Sequence, residues 1–314
     1  MKKRIQNKVA ESRQTLPITL LYGAAIWLLA GMIQHQWWFQ SACFILSVLL
    51  MIHINNKNVL IRIYSRMVSV SFVFLTCTVP HLFHSISGAI VEVTICTSLL
   101  LLFLSYQDQK AIGKSFYAYL CIGISSLVYV QVLYIVPALW LIMALTLNSF
   151  SWRTFFASLL GLFCPYWILT GWIIGVDHHY FEPLVQHLMN LGQLQFPYDY
   201  STVTLNQLLV FIFVGILGFV GIVQFILKSY NDKIRVRQIY YSLLILNVIS
   251  IILLVVQPQL YDMLIRVMII TASPFIGHFI ALTNNRFTNI AFIIIAGAAL
   301  ALTAYDLWTL SSVF

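Results

Sequence analysis

Two residues inside one apolar run carry the strongest chemical signal in this chain. Asp262 and Arg266 stand four positions apart in residues 261–283, YDMLIRVMIITASPFIGHFIALT. Four positions is about one helical turn, so carboxylate and guanidinium can meet on one face. Charges in apolar surroundings are costly, and such residues are normally paired or tied to a ligand pathway. Glu92, about one turn inside another apolar run, is the third charge of this kind. A guanidinium near two carboxylates either closes as a structural ion pair or opens as a site for a phosphate or carboxylate. Glu92, Asp262 and Arg266 are therefore the ligand-binding candidates. A second group, Asp177, His178, His179, Glu182, His187 and Asp199, falls in a polar connection between apolar runs. Carboxylates with imidazoles can act as acid and base. Asp177, His178, His179 and Glu182 are the catalytic candidates if the protein is an enzyme, a question the residues leave open. The HH pair is not HExxH and no cysteine joins it, so no metal centre is expected.

The elements that position these residues follow from composition. Hydrophobic residues make up 61% of the chain and charged residues 8%, with a mean hydropathy of +0.92. A soluble domain holds about 45–50% apolar and about 25% charged residues. This chain needs lipid as a solvent. Its net charge of +8 lies in short loops between apolar runs, which makes it a topology signal and argues against nucleic acid. No P-loop, GxGxxG, GxSxG or zincin pattern occurs, and no cofactor is expected. Cys43, Cys77, Cys96, Cys121 and Cys164 all lie within apolar runs, where the thiol is a small apolar side chain.

A membrane-spanning helix needs about 20 apolar residues. Runs at 17–34, 37–54, 67–84, 88–106, 154–174, 205–227, 239–256, 261–283 and 287–305 meet that need approximately. Residues 115–147 are uncharged and would make a helix of about 50 Å, against a hydrocarbon core of about 30 Å. The charge pattern divides this run into two short spans, with a hairpin near 129–131. That division puts Arg153 on the same side as the other basic loops. It gives about eleven spans, with every Lys and Arg except Arg266 on one side. By the positive-inside tendency that side is the cytoplasm. The expected protein is thus all-α, a single polytopic integral membrane domain over 1–314. A basic cytoplasmic N-terminus occupies 1–16, the C-terminus lies outside with 306–314 as a tail, and a long outer loop fills 175–206. Within that loop Phe181, Leu184, Val185, Leu188 and Leu191 follow helical spacing, the pattern of an amphipathic helix at the interface. Five cations before the first span suit a bacterial inner membrane with an anionic cytoplasmic face.

The segment from Lys114 to Leu169 resembles an uncharacterised Bacteroidota family of multi-pass membrane proteins. The match rests mainly on Phe150, Trp152, Arg153, Gly161, Leu162, Pro165 and Tyr166, and on the NNKN loop at Asn55–Asn58. The resemblance implies an inner-membrane protein and assigns no activity. A fainter likeness, through Gly113, Gly123 and Pro137, runs to polytopic glycosyltransferases that use lipid-phosphate sugar donors. Those enzymes carry acidic residues in a long first outer loop, whereas this chain has only His35 and Gln36 there. The leading expectation is a membrane protein that binds or transports an amphiphilic or anionic ligand through an outer-facing polar cavity at Glu92, Asp262 and Arg266. The ligand would be a lipid-linked or anionic small molecule. The alternatives are an enzyme acting on lipid-linked sugars at the outer face and a structural component of an envelope assembly.

Overall fold

The computed structural model describes residues 4–176, 181–192, 200 and 203–313. The apolar runs are helices, and no strand occurs among the described residues. In chain order they are α1 (Ile5–Glu11), α2 (Thr15–Leu29), α3 (Trp38–Asn58), α4 (Met67–Thr76), α5 (Ile86–Leu104), α6 (Ile112–Val128) and α7 (Val136–Leu145). Then follow α8 (Trp152–Val176), α9 (Phe181–Met189), α10 (Leu205–Lys228), α11 (Ile234–Val256), α12 (Tyr261–Leu282) and α13 (Arg286–Val313). Seven of these, α3, α5, α8 and α10 to α13, are long and apolar enough to cross a membrane. Four shorter apolar segments, built on α2, α4, α6 and α7, fall on the remaining expected spans.

The uncharged run 115–147 breaks where its length demands. α6 ends at Val128, Tyr129 is extended at φ −141° and ψ 91°, and a 3-10 turn over Val130–Ile135 leads into α7. Pro137 sits in the first turn of α7, where its missing N–H costs nothing. The third span is shorter than expected. α4 stops at Thr76, and a 3-10 turn over Pro80–Leu82 replaces its last turns. Val79, before Pro80, leaves the helical region (φ −127°, ψ 52°), as a residue preceding proline tends to do. The expected tail at 306–314 is corrected: α13 runs through to Val313, and Asp306 is a buried helical residue. The basic N-terminus also holds a helix, α1, whose Gln6 is buried.

α12 is the axis of the molecule. Its residues 263–281 are buried throughout, sheathed by α4, α5, α10, α11 and α1. α3 and α6 pack on α5, and α8 packs on α6. Burial from lipid yields no hydrophobic gain, so close packing and hydrogen bonds must hold such a helix. Gly277 shows the closeness: a Cβ there would lie 2.8 Å from the Val68 backbone nitrogen of α4. Asn247 of α11 donates to Thr271 Oγ1 at 2.8 Å, and Tyr240 donates to the Pro274 carbonyl at 3.2 Å. The outer surface is the reverse of a soluble one. Trp167 (77% exposed) and Phe287 (85%) are among many large apolar side chains facing outward, which suits lipid and not water.

Further polar contacts between elements lie at two ends. At one end, Gln6 bonds Thr283 Oγ1 and the Ile280 carbonyl, Ser65 bonds the Ala10 carbonyl, and Arg235 bonds Asn58 and the Phe103 carbonyl. At the other, Gln40 bonds the His84 carbonyl, Ser85 bonds Asp262, and Tyr200 bonds the Val255 carbonyl. The first is the basic end and the second the acidic end. Their membership follows the alternation read from the loop charges.

Candidate functional site

At the acidic end the three charges converge. Ser85 caps α5 by accepting from the Gly88 N–H at 3.0 Å, the usual task of serine at that position. Its hydroxyl donates to Asp262 Oδ2 at 2.5 Å, which fixes the start of α5 against the start of α12. Gly88 then passes over the pair. A Cβ at Gly88 would stand 2.5 Å from Arg266 Nε and 2.7 Å from Asp262 Oδ1, so only glycine leaves room there.

Arg266 gives each of its three nitrogens to an acceptor. Nε donates to Asp262 Oδ1 at 2.8 Å, Nη1 to Glu92 Oε2 at 2.9 Å, and Nη2 to the Leu82 carbonyl at 2.6 Å. Arg266 and Glu92 are buried, and the Asp262 side chain keeps 26% exposure. Two cavities border the Arg266–Glu92 pair, each of about 10 Å³. That is room for about one water each. The third span's early stop makes this possible, because the 3-10 turn after Pro80 presents the Leu82 carbonyl to the guanidinium.

Sequence reasoning missed a second buried carboxylate at this end. Asp306 Oδ2 accepts from the His81 backbone N–H at 3.0 Å and lies 2.8 Å from His81 Nδ1, while Asn206 Nδ2 donates to Oδ1. Asp306 thereby ties α13 to α10 and to the Pro80–Leu82 turn. The signal was present: apolar residues resume after it at Leu307, Trp308 and Leu310. A matching pair sits at the basic end, where His278 Nε2 lies 3.0 Å from Asp232 Oδ2, both side chains buried.

The amphipathic segment of the long loop is helical, as α9, with Leu184 and Val185 half-buried and Phe181 and Leu188 exposed. Glu182 is exposed. His187 bonds the Ser126 carbonyl at 2.8 Å, and Tyr134 donates to the Leu191 carbonyl. α9 is therefore moored over the end of α6. Asp177, His178, His179 and Asp199 lie outside the described residues. Among the described residues no group of three metal-ligating side chains converges.

A larger cavity than the two beside the Arg266–Glu92 pair lies elsewhere, in the basic half of the bundle. A cavity of about 440 Å³ opens between α2, α4, α12 and α13. Buried Leu217 and Ile280 and half-buried Phe74 and Phe292 line its apolar part, and exposed Lys8 with half-buried Ser12 and Thr15 marks its mouth. Tyr22 of α2 bonds Thr303 of α13 at 3.2 Å on the acidic-end side. Toward the basic end, α1 crosses beneath, with the Gln6 N–H on Asn289 Oδ1 at 3.1 Å. Along α4 the cavity runs from Met67 to Leu75, about 12 Å at 1.5 Å per residue. Comparison with family models, curated proteins and solved structures finds no match to this chain.

Proposed function

We propose that this chain is a multi-pass protein of a bacterial inner membrane, about eleven spans with a cytoplasmic N-terminus, that binds or transports an anionic amphiphile. The observation that carries this reading is the cavity between α2, α4 and α13. Its volume of about 440 Å³ lies in the range of about 300–1,000 Å³ usual for small-molecule sites. Its depth is apolar and suits an acyl chain, and its mouth offers Lys8 with Ser12 and Thr15 to an anionic head. The positive-inside tendency places that mouth at the cytoplasmic leaflet, where anionic lipids add to the attraction. Kinship with the Bacteroidota multi-pass family, carried by Phe150, Trp152, Arg153 and Tyr166, accords with this location and belongs to the same proposal.

The triad of Glu92, Asp262 and Arg266 holds a different place in this reading. Its guanidinium is already occupied by three acceptors of the protein, and the spaces beside it are water-sized. The amphiphile therefore belongs to the larger cavity. The test is mass spectrometry of lipids that stay with the purified protein through delipidation. Wild type should retain a defined anionic amphiphile, Ala296→Trp should lose it by filling the cavity, and Lys8→Gln should weaken retention. Identical lipid content in wild type and a folded Ala296→Trp protein would reduce the cavity to ordinary bilayer contact and reject the proposal.

A further inference from the structure

The triad is unevenly satisfied. Asp262 uses both oxygens, Oδ1 for Arg266 and Oδ2 for Ser85. Glu92 uses only Oε2. Its Oε1 is buried without a hydrogen-bond partner, although the residue is only 4% exposed. One cation between two carboxylates leaves a unit negative charge, and among the described residues no second cation pairs with either one. A buried charge without compensation is costly by several kcal/mol, and such groups tend to resolve the cost by neutralising.

The surroundings of Oε1 point to the ligand. One of the two water-sized cavities is lined by Glu92, Arg266, Gln40 and Trp27. Trp27, held in place by stacking on Phe83 at 4.0 Å, has its indole N–H buried and unpartnered. The buried Ser47 hydroxyl of α3 lies within reach of the same Glu92 carboxyl. Trp27 and Glu92 thus line one water-sized space, each with a buried unpartnered polar atom, a donor and an acceptor of the kind a bridging water needs. A cation would be opposed there by the indole N–H and by Arg266.

We propose that Glu92 is a one-proton binding site of this protein, reached from the acidic end, with a water bridging Trp27 Nε1 and Glu92 Oε1. The proton comes from solvent, lands on Oε1, and takes the triad from a net charge of about −1 to about zero. The groups facing Glu92 are Asp262 and Arg266 from α12, the Cys43 thiol from α3 and the Cys96 thiol on its own helix. α2 and α4 contribute Trp27 and Thr76 to the same cavity. With Glu92 neutral, the attraction joining α5 to Arg266 weakens, while Asp262 and the Leu82 carbonyl keep their hold. The proposal stands apart from the amphiphile reading.

The chain has only three glutamates, Glu11, Glu92 and Glu182, which makes the test direct. The full-length protein labelled with 13C at the glutamate carboxyls is titrated by NMR in lipid. Glu11 and Glu182 are exposed, so Glu11→Gln and Glu182→Gln assign two signals by elimination and leave the core untouched. The remaining Glu92 signal should move between carboxylate and carboxylic acid in a titration distinct from the other two. Trp27→Phe, which removes the bridging donor without changing charge, should displace its midpoint. A Glu92 signal that holds the carboxylate position over the whole pH range in which the protein stays folded would overturn the site. An unchanged midpoint in Trp27→Phe would overturn the water bridge.

Discussion

Replacing Arg266 with methionine tests the charge arrangement on which the acidic end depends. The substitution keeps a long side chain and removes the one cation that, among the described residues, pairs with Glu92 and Asp262. Two carboxylates then face one another in a site where Glu92 is 4% exposed. Removing one partner of a buried ion pair costs about 3–5 kcal/mol, since the other charge is stranded. Glu92→Gln is milder. It leaves Arg266 with Asp262 as a neutral pair, and the amide oxygen still accepts from Nη1, so the loss is about 1 kcal/mol. The double variant Glu92→Met/Arg266→Met should recover at least about 1 kcal/mol relative to Arg266→Met alone. Only Asp262 then stays charged, and it has 26% exposure and the Ser85 hydroxyl to hold it. Reversible unfolding in mixed micelles, followed by tryptophan fluorescence, gives the three free energies. The reasoning fails if Arg266→Met lies within about 0.5 kcal/mol of wild type, or if the double variant is less stable than Arg266→Met.

Gly88→Ala should cost about 1–3 kcal/mol in the same assay, because the new methyl would sit 2.5 Å from Arg266 Nε; an unaffected protein would show that the pair is free to shift. Asp306→Asn should loosen α13 at its acidic end, raising hydrogen exchange there while α12 stays protected, since the carboxylate takes bonds from His81 and Asn206. On a background lacking the five native cysteines, Glu182→Cys should react with an impermeant maleimide in whole cells and Arg153→Cys should not; the opposite labelling would invert the topology. Asp177→Asn and His179→Ala should leave amphiphile retention at the wild-type level, and a loss would move the working site to the outer loop.

Much of the architecture was legible because a bilayer imposes one simple rule. Backbone groups in hydrocarbon must bond within their own segment, so apolar runs of sufficient length become helices. That rule located α3, α5, α8, α10, α11 and α12 to within a few residues, and length together with the loop charges called for the break near Tyr129. Charge in the loops gave the alternation of ends. The errors came where a rule other than hydropathy acts. Pro80 ended α4 early by backbone sterics. Asp306 was read as the start of a tail because a charge normally ends a span, yet His81 and Asn206 supply it with partners.

Asp262 and Arg266 could be paired from their spacing alone, since four residues on one helix is a local fact. That Glu92 joins them depended on α5 lying against α12, and no pattern within either segment specifies its neighbour. The same holds for His278 with Asp232 and for the cavity between α2, α4 and α13, whose walls are far apart in the chain. Hydropathy and charge therefore determined which segments are helices and which way they alternate. Tertiary packing alone decided which helices touch, because lipid and protein are nearly equivalent solvents for an apolar side chain. The choice of neighbour rests on small-residue crossings such as Gly88 and Gly277 and on a few buried polar bonds.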